Sequence, residues 1–115
     1  INITAGNLRI TIDSKNIYSA MDTVWIPVSI INQGKTPIYS GIQNHVFLSY
    51  FWVVNKDVLN WNEIKTPLQA DIKGSLRQDI KVAIPRIKGR MQLKVDIIAD
   101  GDWLGIYSQE DVMVY

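Results

Sequence analysis

Cysteine is absent from this chain, and histidine occurs once, as His45. Disulfides therefore contribute nothing to the fold, and their absence favours a reducing compartment. A transition-metal site needs several histidine or cysteine ligands, so we predict no metal and no cofactor. A Ser-His-Asp triad would have to use His45, which no nucleophile motif accompanies, and the chain has no glycine-rich phosphate loop. The sequence thus predicts a protein that is not an enzyme.

Charge of one sign and long hydrophobic runs are also missing. The 12 basic and 11 acidic residues give a net charge of +1 and form no basic stripe, so we predict no nucleic-acid partner. No apolar run approaches the ~20 residues that span a bilayer. The length of 115 residues and the 47% hydrophobic content fit a single domain over residues 1–115. Because the chain starts at Ile1 without methionine, we expect it to be a piece of a longer protein.

What the chain does have is alternation of apolar and polar residues with a period of two, which is typical of half-buried strands. Pro27, inside the second of these runs, suggests an edge position or a bulge. Such spacing predicts an all-β fold: an antiparallel β-sandwich of seven to eight strands, either immunoglobulin-like or jelly-roll, with the strand count favouring the first. Strands are predicted at residues 8–12, 24–32, 46–54, 58–61, 76–84, from Gly89 onward, 103–107 and 111–115.

A series of motifs in the last two-thirds of the chain resembles a known family. The series consists of Asn32-Gln33-Gly34, Leu48-Ser49-Tyr50-Phe51-Trp52, Lys65-Thr66-Pro67-Leu68, Ala83-Ile84-Pro85, Gly89-Arg90-Met91-Gln92-Leu93, Val95-Asp96 and Trp103. It is similar to the β-sandwich carbohydrate-binding modules attached to bacterial polysaccharide-assembly and export proteins. The chain departs from that pattern at Lys65, Met91 and Leu104, where the family usually has arginine, an aromatic residue and phenylalanine.

The resemblance implies a function. It suggests a non-catalytic module that recognises a bacterial cell-surface polysaccharide such as O-antigen for export or assembly. The parent protein would be the ATP-binding subunit of an O-antigen ABC transporter, a glycosyltransferase or a methyltransferase. The expected location is then cytoplasmic, at the inner face of the bacterial inner membrane, reached through that parent protein.

Aromatic residues carry the argument for a sugar-binding site, since flat rings pack on the apolar faces of sugars while neighbouring polar groups bind the hydroxyls. Tyr50 and Trp52 lie on the predicted inward face of their strand, and Trp103 is also expected in the core. Trp25 lies opposite the apolar face of its strand. Trp61 lies in a polar context and is either a sugar platform or a ring folded over a sheet edge. The predicted carbohydrate-binding residues are Trp61, Trp25, Asn62, Lys65 and Arg77.

Two further groups of residues allow more than one interpretation. Asp96, Asp100, Asp102, Glu110 and Asp111 could bind Ca²⁺ through their oxygens, but solvated carboxylates in turns are the interpretation we favour. The outward face of the strand 46–54 carries Phe47, Phe51 and Val53, where a solvated sheet should be polar. A neighbouring domain, a second copy of the chain or the segment 36–43 would cover that face. Those three residues therefore predict an interface, including a homodimer, and the alternative function is a protein-interaction or dimerisation domain without its own ligand.

Overall fold

The computed structural model describes residues 7–41, 45–61 and 64–115, with backbone only for residues 60 and 61. Two β-sheets pack face to face, and no helix is present among these residues. The all-β sandwich prediction is confirmed. The strands are β1 Leu8–Ile12, β2 Ile17–Tyr18, β3 Thr23–Asn32, β4 Val46–Val54, β5 Asp57–Trp61, β6 Thr66–Pro67, β7 Ser75–Ala83, β8 Gly89–Ala99, β9 Asp102–Trp103 and β10 Ser108–Val114.

The smaller sheet has the strand order β1-β3-β7, and both pairings are antiparallel. Alternation decides which face is buried: Leu8, Ile10 and Ile12 of β1 point inward, while Arg9 and Thr11 point outward. The same parity buries alternate positions of β3 and β7 against the second sheet. The alternation predicted for half-buried strands is thus present in all three strands.

The larger sheet has the order β2-β10-β8-β4-β5, with β6 paired to β4 and β9 paired to β8. Its pairings are antiparallel except for β2 with β10, which are parallel. A three-stranded sheet opposite a sheet in which β8 lies between β4 and β10 is the immunoglobulin-like arrangement. Of the two topologies that the sequence allowed, the structure therefore shows the immunoglobulin-like one.

Pro27 lies in the central strand of the smaller sheet, so the predicted edge position is wrong for β3 as a whole. The prolyl nitrogen nevertheless costs no ladder hydrogen bond. Asp13 N–H donates to the carbonyl of Pro27 at 2.9 Å, and β1 has already ended at Ile12. The backbone N and C=O of a residue in an antiparallel strand point toward the same neighbouring strand. The nitrogen of Pro27 therefore points toward the side of β1, which has already ended, and not toward β7.

Two hairpins of the larger sheet turn over two residues each. Asn55 and Lys56 join β4 to β5, and Asp100 and Gly101 join β8 to β9. All four have positive φ values, of 51°, 71°, 51° and 85° in that order, as a type I′ turn requires.

Strand β4 is buried on both faces, and the chain itself covers the outer one. Phe51 is 7% exposed, and its ring packs edge-on against Trp103 and Tyr107, with centroids 5.4 and 6.1 Å apart. Val53 is also buried, whereas Phe47 is half-buried. The cover at Phe51 is thus the segment 103–107 and none of the three covers that the sequence suggested. The exposure that motivated an interface at Phe51 and Val53 is absent.

A buried carboxylate holds this covering segment in place. Asp96 Oδ1 accepts the N–H groups of Ile97 and Ile106 at 2.7 and 3.3 Å, and Oδ2 accepts the N–H of Gly105 at 2.9 Å. Asp96 is therefore part of the fold's own hydrogen bonding, and it differs from the solvated carboxylate that the sequence predicted. Within the described part of the chain, no helix is long and apolar enough to cross a membrane.

Candidate functional site

Among the predicted sugar-binding residues whose side chains the structure describes, Trp25 presents its ring to solvent. Trp25 lies near the start of β3 on the outward face of the smaller sheet, and 58% of it is exposed. Its outward position follows from strand parity, because its neighbour Ile26 is fully buried between the sheets. The register places Lys81 of β7 directly beside it. The predicted exposure of Trp25 is confirmed.

The indole of Trp25 lines a groove of about 510 Å³, which we call the Trp25 groove. Tyr115 lines it as well and is 61% exposed, as does the exposed side chain of Ile17. Polar groups share the same lining, among them the carboxyl groups of Asp13 and Asp22. The groove thus combines flat apolar rings with hydrogen-bonding groups of the kind that bind hydroxyls.

Backbone hydrogen bonds fix the elements around the Trp25 groove. Tyr115 N–H donates to the carbonyl of Tyr18 at 3.0 Å, and its own carbonyl accepts the N–H of Ala20 at 2.8 Å. The hydroxyl of buried Tyr18 accepts the N–H of Lys15 at 3.0 Å, which ties down the turn before β2. The backbones that carry the groove's residues are therefore ordered before any ligand arrives.

Arg77, another predicted binding residue, reaches the rim of this groove through Asp13. Its Nη2 atom lies 3.1 Å from Asp13 Oδ2, and its Nη1 atom donates to Ser29 Oγ at 3.2 Å. Both partners of the ion pair are well exposed, so the pair adds at most about 1 kcal/mol to stability. Its effect is positional, since it orients the carboxyl group of Asp13. Arg77 thus contacts a residue that lines the Trp25 groove but does not line the groove itself.

The remaining predicted binding residues lie elsewhere. Lys65 is exposed beside β6, where Thr66 Oγ1 accepts the N–H of Lys81 at 3.2 Å. Trp61 ends β5 opposite Phe51, and its side chain lies outside the described residues, as does the whole of Asn62. Because β5 belongs to the larger sheet and β3 to the smaller one, the backbones of Trp61 and Trp25 lie in different sheets.

Sequence reasoning missed Tyr115 and Ile17 as groove residues. The alternation along β10 could have predicted an outward position for Tyr115, because Val112 and Val114 point inward and the next residue points to the opposite face. Nothing local indicated that β2 would pair with β10, a contact between segments nearly a hundred residues apart. That pairing is what places Ile17 and Tyr115 near Trp25.

The structure also places the carboxylates and the histidine that lie among the described residues. No group of three or more His, Cys, Asp or Glu side chains among them could hold a metal ion. Asp100 and Asp102 are exposed around the β8–β9 hairpin, and Asp96 already accepts three backbone donors. His45 is exposed in the turn just before β4.

Comparisons with solved structures support the fold. The CARDB domain of the PF1109 protein from Pyrococcus furiosus, determined by NMR, matches with a TM-score of 0.55 at 10% identity, over 94% of both chains. A crystal structure of that domain in complex with di-metal ions matches with a TM-score of 0.56 at 11% identity, over 93% of this chain and 91% of that one.

A third match is Spo0M, a sporulation control protein from Bacillus subtilis, with a TM-score of 0.53 at 12% identity. This chain aligns over 95% of its own length and 49% of Spo0M, so there the fold is one part of a longer protein. No family model and no curated protein matches the chain. At such identities the likeness establishes the fold alone.

Proposed function

We propose that this chain is a non-catalytic carbohydrate-binding module and that the Trp25 groove is its sugar site. The observation that carries the proposal is the pairing of two exposed rings, Trp25 and Tyr115, in one groove whose lining also includes carboxyl groups. An indole packs on the C–H face of a sugar ring, and its exposed area is apolar surface that a sugar can remove from water.

The polar lining supplies the other half of sugar recognition. Carboxylates accept hydrogen bonds from hydroxyl groups, and Asp13 and Asp22 line the groove beside Trp25. Arg77 orients Asp13 from the outer face of β7, which reduces the conformational entropy that ligand binding would cost. A preformed groove with few charged groups fits a binding module that holds a glycan without transforming it.

The finer assignment rests on the resemblance of the sequence motifs. We propose a bacterial cell-surface polysaccharide such as O-antigen as the ligand, and a transporter ATPase or an assembly enzyme as the parent protein. The module would then work at the inner face of the inner membrane. Glycan-array screening of the chain, followed by titration with each polysaccharide that binds, tests this assignment.

The site itself is tested by Trp25→Ala. We expect the dissociation constant for a bound glycan to rise about fivefold to tenfold, since an aromatic contact of this kind contributes about 1–1.4 kcal/mol. Ile31→Ala is the matched control, because Ile31 lies on the same face of the same strand, is exposed, and does not line the groove. Isothermal titration calorimetry measures both variants.

Thermal unfolding of Trp25→Ala should match that of the wild type, because the ring contributes little buried surface. Unchanged glycan affinity in Trp25→Ala would refute the assignment of the groove. If the array shows no glycan that binds, the alternative of a protein-interaction domain without its own ligand gains support.

A further inference from the structure

A second groove, of about 540 Å³, crosses the outward face of the larger sheet at one end. It is lined by Asn16 before β2, by Asp111 and Met113 of β10, by Arg90 and Gln92 of β8, and by the β4–β5 turn. Four neighbouring segments at a spacing of about 4.8 Å give it a length of about 14 Å, which suits a short oligosaccharide. We call it the Arg90 groove.

The register explains why these side chains converge. Met113 lies opposite Arg90 in the pairing of β10 with β8. On the other side of β8, Val53 pairs with Gln92, and continuing that antiparallel register by two residues places Asn55 opposite Arg90. Arg90 therefore lies between β10 and the turn that carries Lys56.

The charges of the Arg90 groove favour an anion. Arg90 and Lys56 are both exposed, and neither forms an ion pair among the described residues. Asp111 is the opposing charge: Gln92 Nε2 donates to its Oδ1 at 3.5 Å, whereas Asn16 Nδ2 donates to its backbone carbonyl at 3.2 Å, and these neutral donors leave its negative charge in place. The lining carries two positive charges against one negative charge.

The turn that presents Lys56 holds it in a backbone conformation that side chains seldom adopt. Asn55 and Lys56 have φ values of 51° and 71°, and Asn16 on the opposite wall has φ 64°. Glycine would fit a type I′ turn better at the position of Lys56, so the turn carries a lysine at a conformational cost. Residues kept in costly conformations concentrate at functional sites.

The two grooves adjoin each other. Lys15 and Ile17 line the Trp25 groove, while Asn16 between them lines the Arg90 groove. The same short segment, residues 15–17, therefore separates the two grooves.

We propose that the Arg90 groove is a second subsite of the sugar-binding surface and that it takes an anionic sugar unit, held by Arg90 and Lys56. The preferred ligand is then an acidic polysaccharide. This inference rests on the proposed function, because it treats the two grooves as parts of one site. A guanidinium and an ammonium would pair with a carboxylate or a sulfate by charge-assisted hydrogen bonds, while Asn55 and Gln92 would bind hydroxyls.

The test compares three oligosaccharides of equal length: an oligogalacturonate, its carboxyl-reduced neutral counterpart and a sulfated galactan fragment. Wild-type protein should bind at least one acidic oligosaccharide about tenfold more tightly than the neutral one, and added salt should remove that advantage. Preference for the uronate or for the sulfated fragment distinguishes the two sources of charge.

The variant is the double substitution Arg90→Gln with Lys56→Asn, in which asparagine tolerates the positive φ. It should lose the advantage of the acidic ligand and keep the wild-type affinity for the neutral one. If the double variant binds the acidic ligand as tightly as wild type, the subsite inference is overturned.

Trp25→Ala separates the two proposals. A loss of both ligands in Trp25→Ala with no effect of the double variant overturns the second subsite alone. Unaltered binding in Trp25→Ala overturns the Trp25 groove as the sugar site. Wild-type protein that binds none of the three oligosaccharides overturns the preference for an acidic polysaccharide, while the glycan array decides the proposed function separately.

Discussion

At the scale of single residues, the carboxylate of Asp96 accepts backbone hydrogen bonds at a place where β8 has no neighbouring strand to accept them. Strand β9 pairs with β8 at Ile98 and Ala99, and β10 pairs with β8 up to Val95, so the N–H of Ile97 falls between the two ladders. The carboxylate accepts that N–H together with those of Gly105 and Ile106. One side chain thus satisfies three donors where the chain crosses from β9 to β10.

Asp96→Asn should therefore lower the free energy of unfolding by about 1–3 kcal/mol. An asparagine keeps one acceptor oxygen and presents an NH₂ group, so one of the three backbone donors would face another donor. Asp100→Asn is the control, because Asp100 is exposed in a turn whose positive φ asparagine tolerates, and it should be neutral. Urea denaturation measures both; equal stability of Asp96→Asn and wild type would contradict this role.

The stability that Asp96 contributes should depend on pH. Burial raises the pKa of Asp96 above its ordinary value of 3.8, and the three backbone N–H donors oppose that shift. Because the pKa is raised on folding, the folded protein binds more protons than the unfolded one at pH values between 3.8 and the folded pKa. The free energy of unfolding that this group contributes therefore increases as the pH falls through its folded pKa. The stability difference between wild type and Asp96→Asn should increase on acidification from neutral pH. A difference that shrinks on acidification would contradict the raised pKa.

Residue positions that depend on parity were predictable, and those that depend on distant contacts were not. The outward position of Trp25 follows from its buried neighbour Ile26, which the alternation of β3 already indicates. Asp96 looks like a solvated residue in the same kind of alternation, yet it is 1% exposed. Its burial depends on how the segment 103–107 folds back, which local sequence does not specify.

At the scale of elements, the residue pattern of β4 predicted that both of its faces are covered, but not which segment covers the outer face. Its bounds and its inward residues were predicted, and the apolar residues on its other face correctly indicated that something covers that face. What covers Phe51 is decided by the β9–β10 connection, where Trp103 and Tyr107 pack on its ring. Lys94, opposite Phe51 in the ladder, places its Nζ atom 4.3 Å from the centre of the Tyr107 ring.

Phe51→Ala should lower the free energy of unfolding by about 3 kcal/mol, because it leaves a cavity beneath Trp103 and Tyr107. Phe47→Ala, at a half-buried position on the same face, should cost about 1 kcal/mol. Denaturant titration measures stability, and light scattering on the same samples measures mass. A Phe51→Ala variant that keeps wild-type stability but changes its mass would favour the interface that the sequence suggested.

At the scale of the whole molecule, side chains of β4 tie the two sheets together at one end. Tyr50 Oη accepts the N–H of Ala83 at 2.8 Å, and Trp52 Nε1 donates to the carbonyl of Ala83 at 3.1 Å. Ala83 ends β7, which has β3 on one side and no strand on the other. Two aromatic residues of the larger sheet thus satisfy both backbone groups of the last residue in the edge strand of the smaller sheet.

The sandwich was predictable because most of the predicted strands alternate apolar and polar residues and so have one face to bury, which two packed sheets provide. The choice of immunoglobulin-like topology depends on which strands neighbour each other, and the parallel pairing of β2 with β10 has no local signal. The site divides in the same way: Trp25 was predictable from its own strand, whereas the groove around it exists only after distant segments meet.

Tyr50→Phe tests the tie between the sheets. The ring stays in the core, but the N–H of Ala83 loses its acceptor, so the free energy of unfolding should fall by about 1 kcal/mol. Hydrogen exchange should accelerate at the amide of Ala83 more than at the central amides of β3, because the end of β7 would open locally. Tyr39→Phe, at an exposed position, should change neither quantity. Unaltered exchange at Ala83 in Tyr50→Phe would mean that packing of the aromatic rings, without this hydrogen bond, holds β7 to the larger sheet.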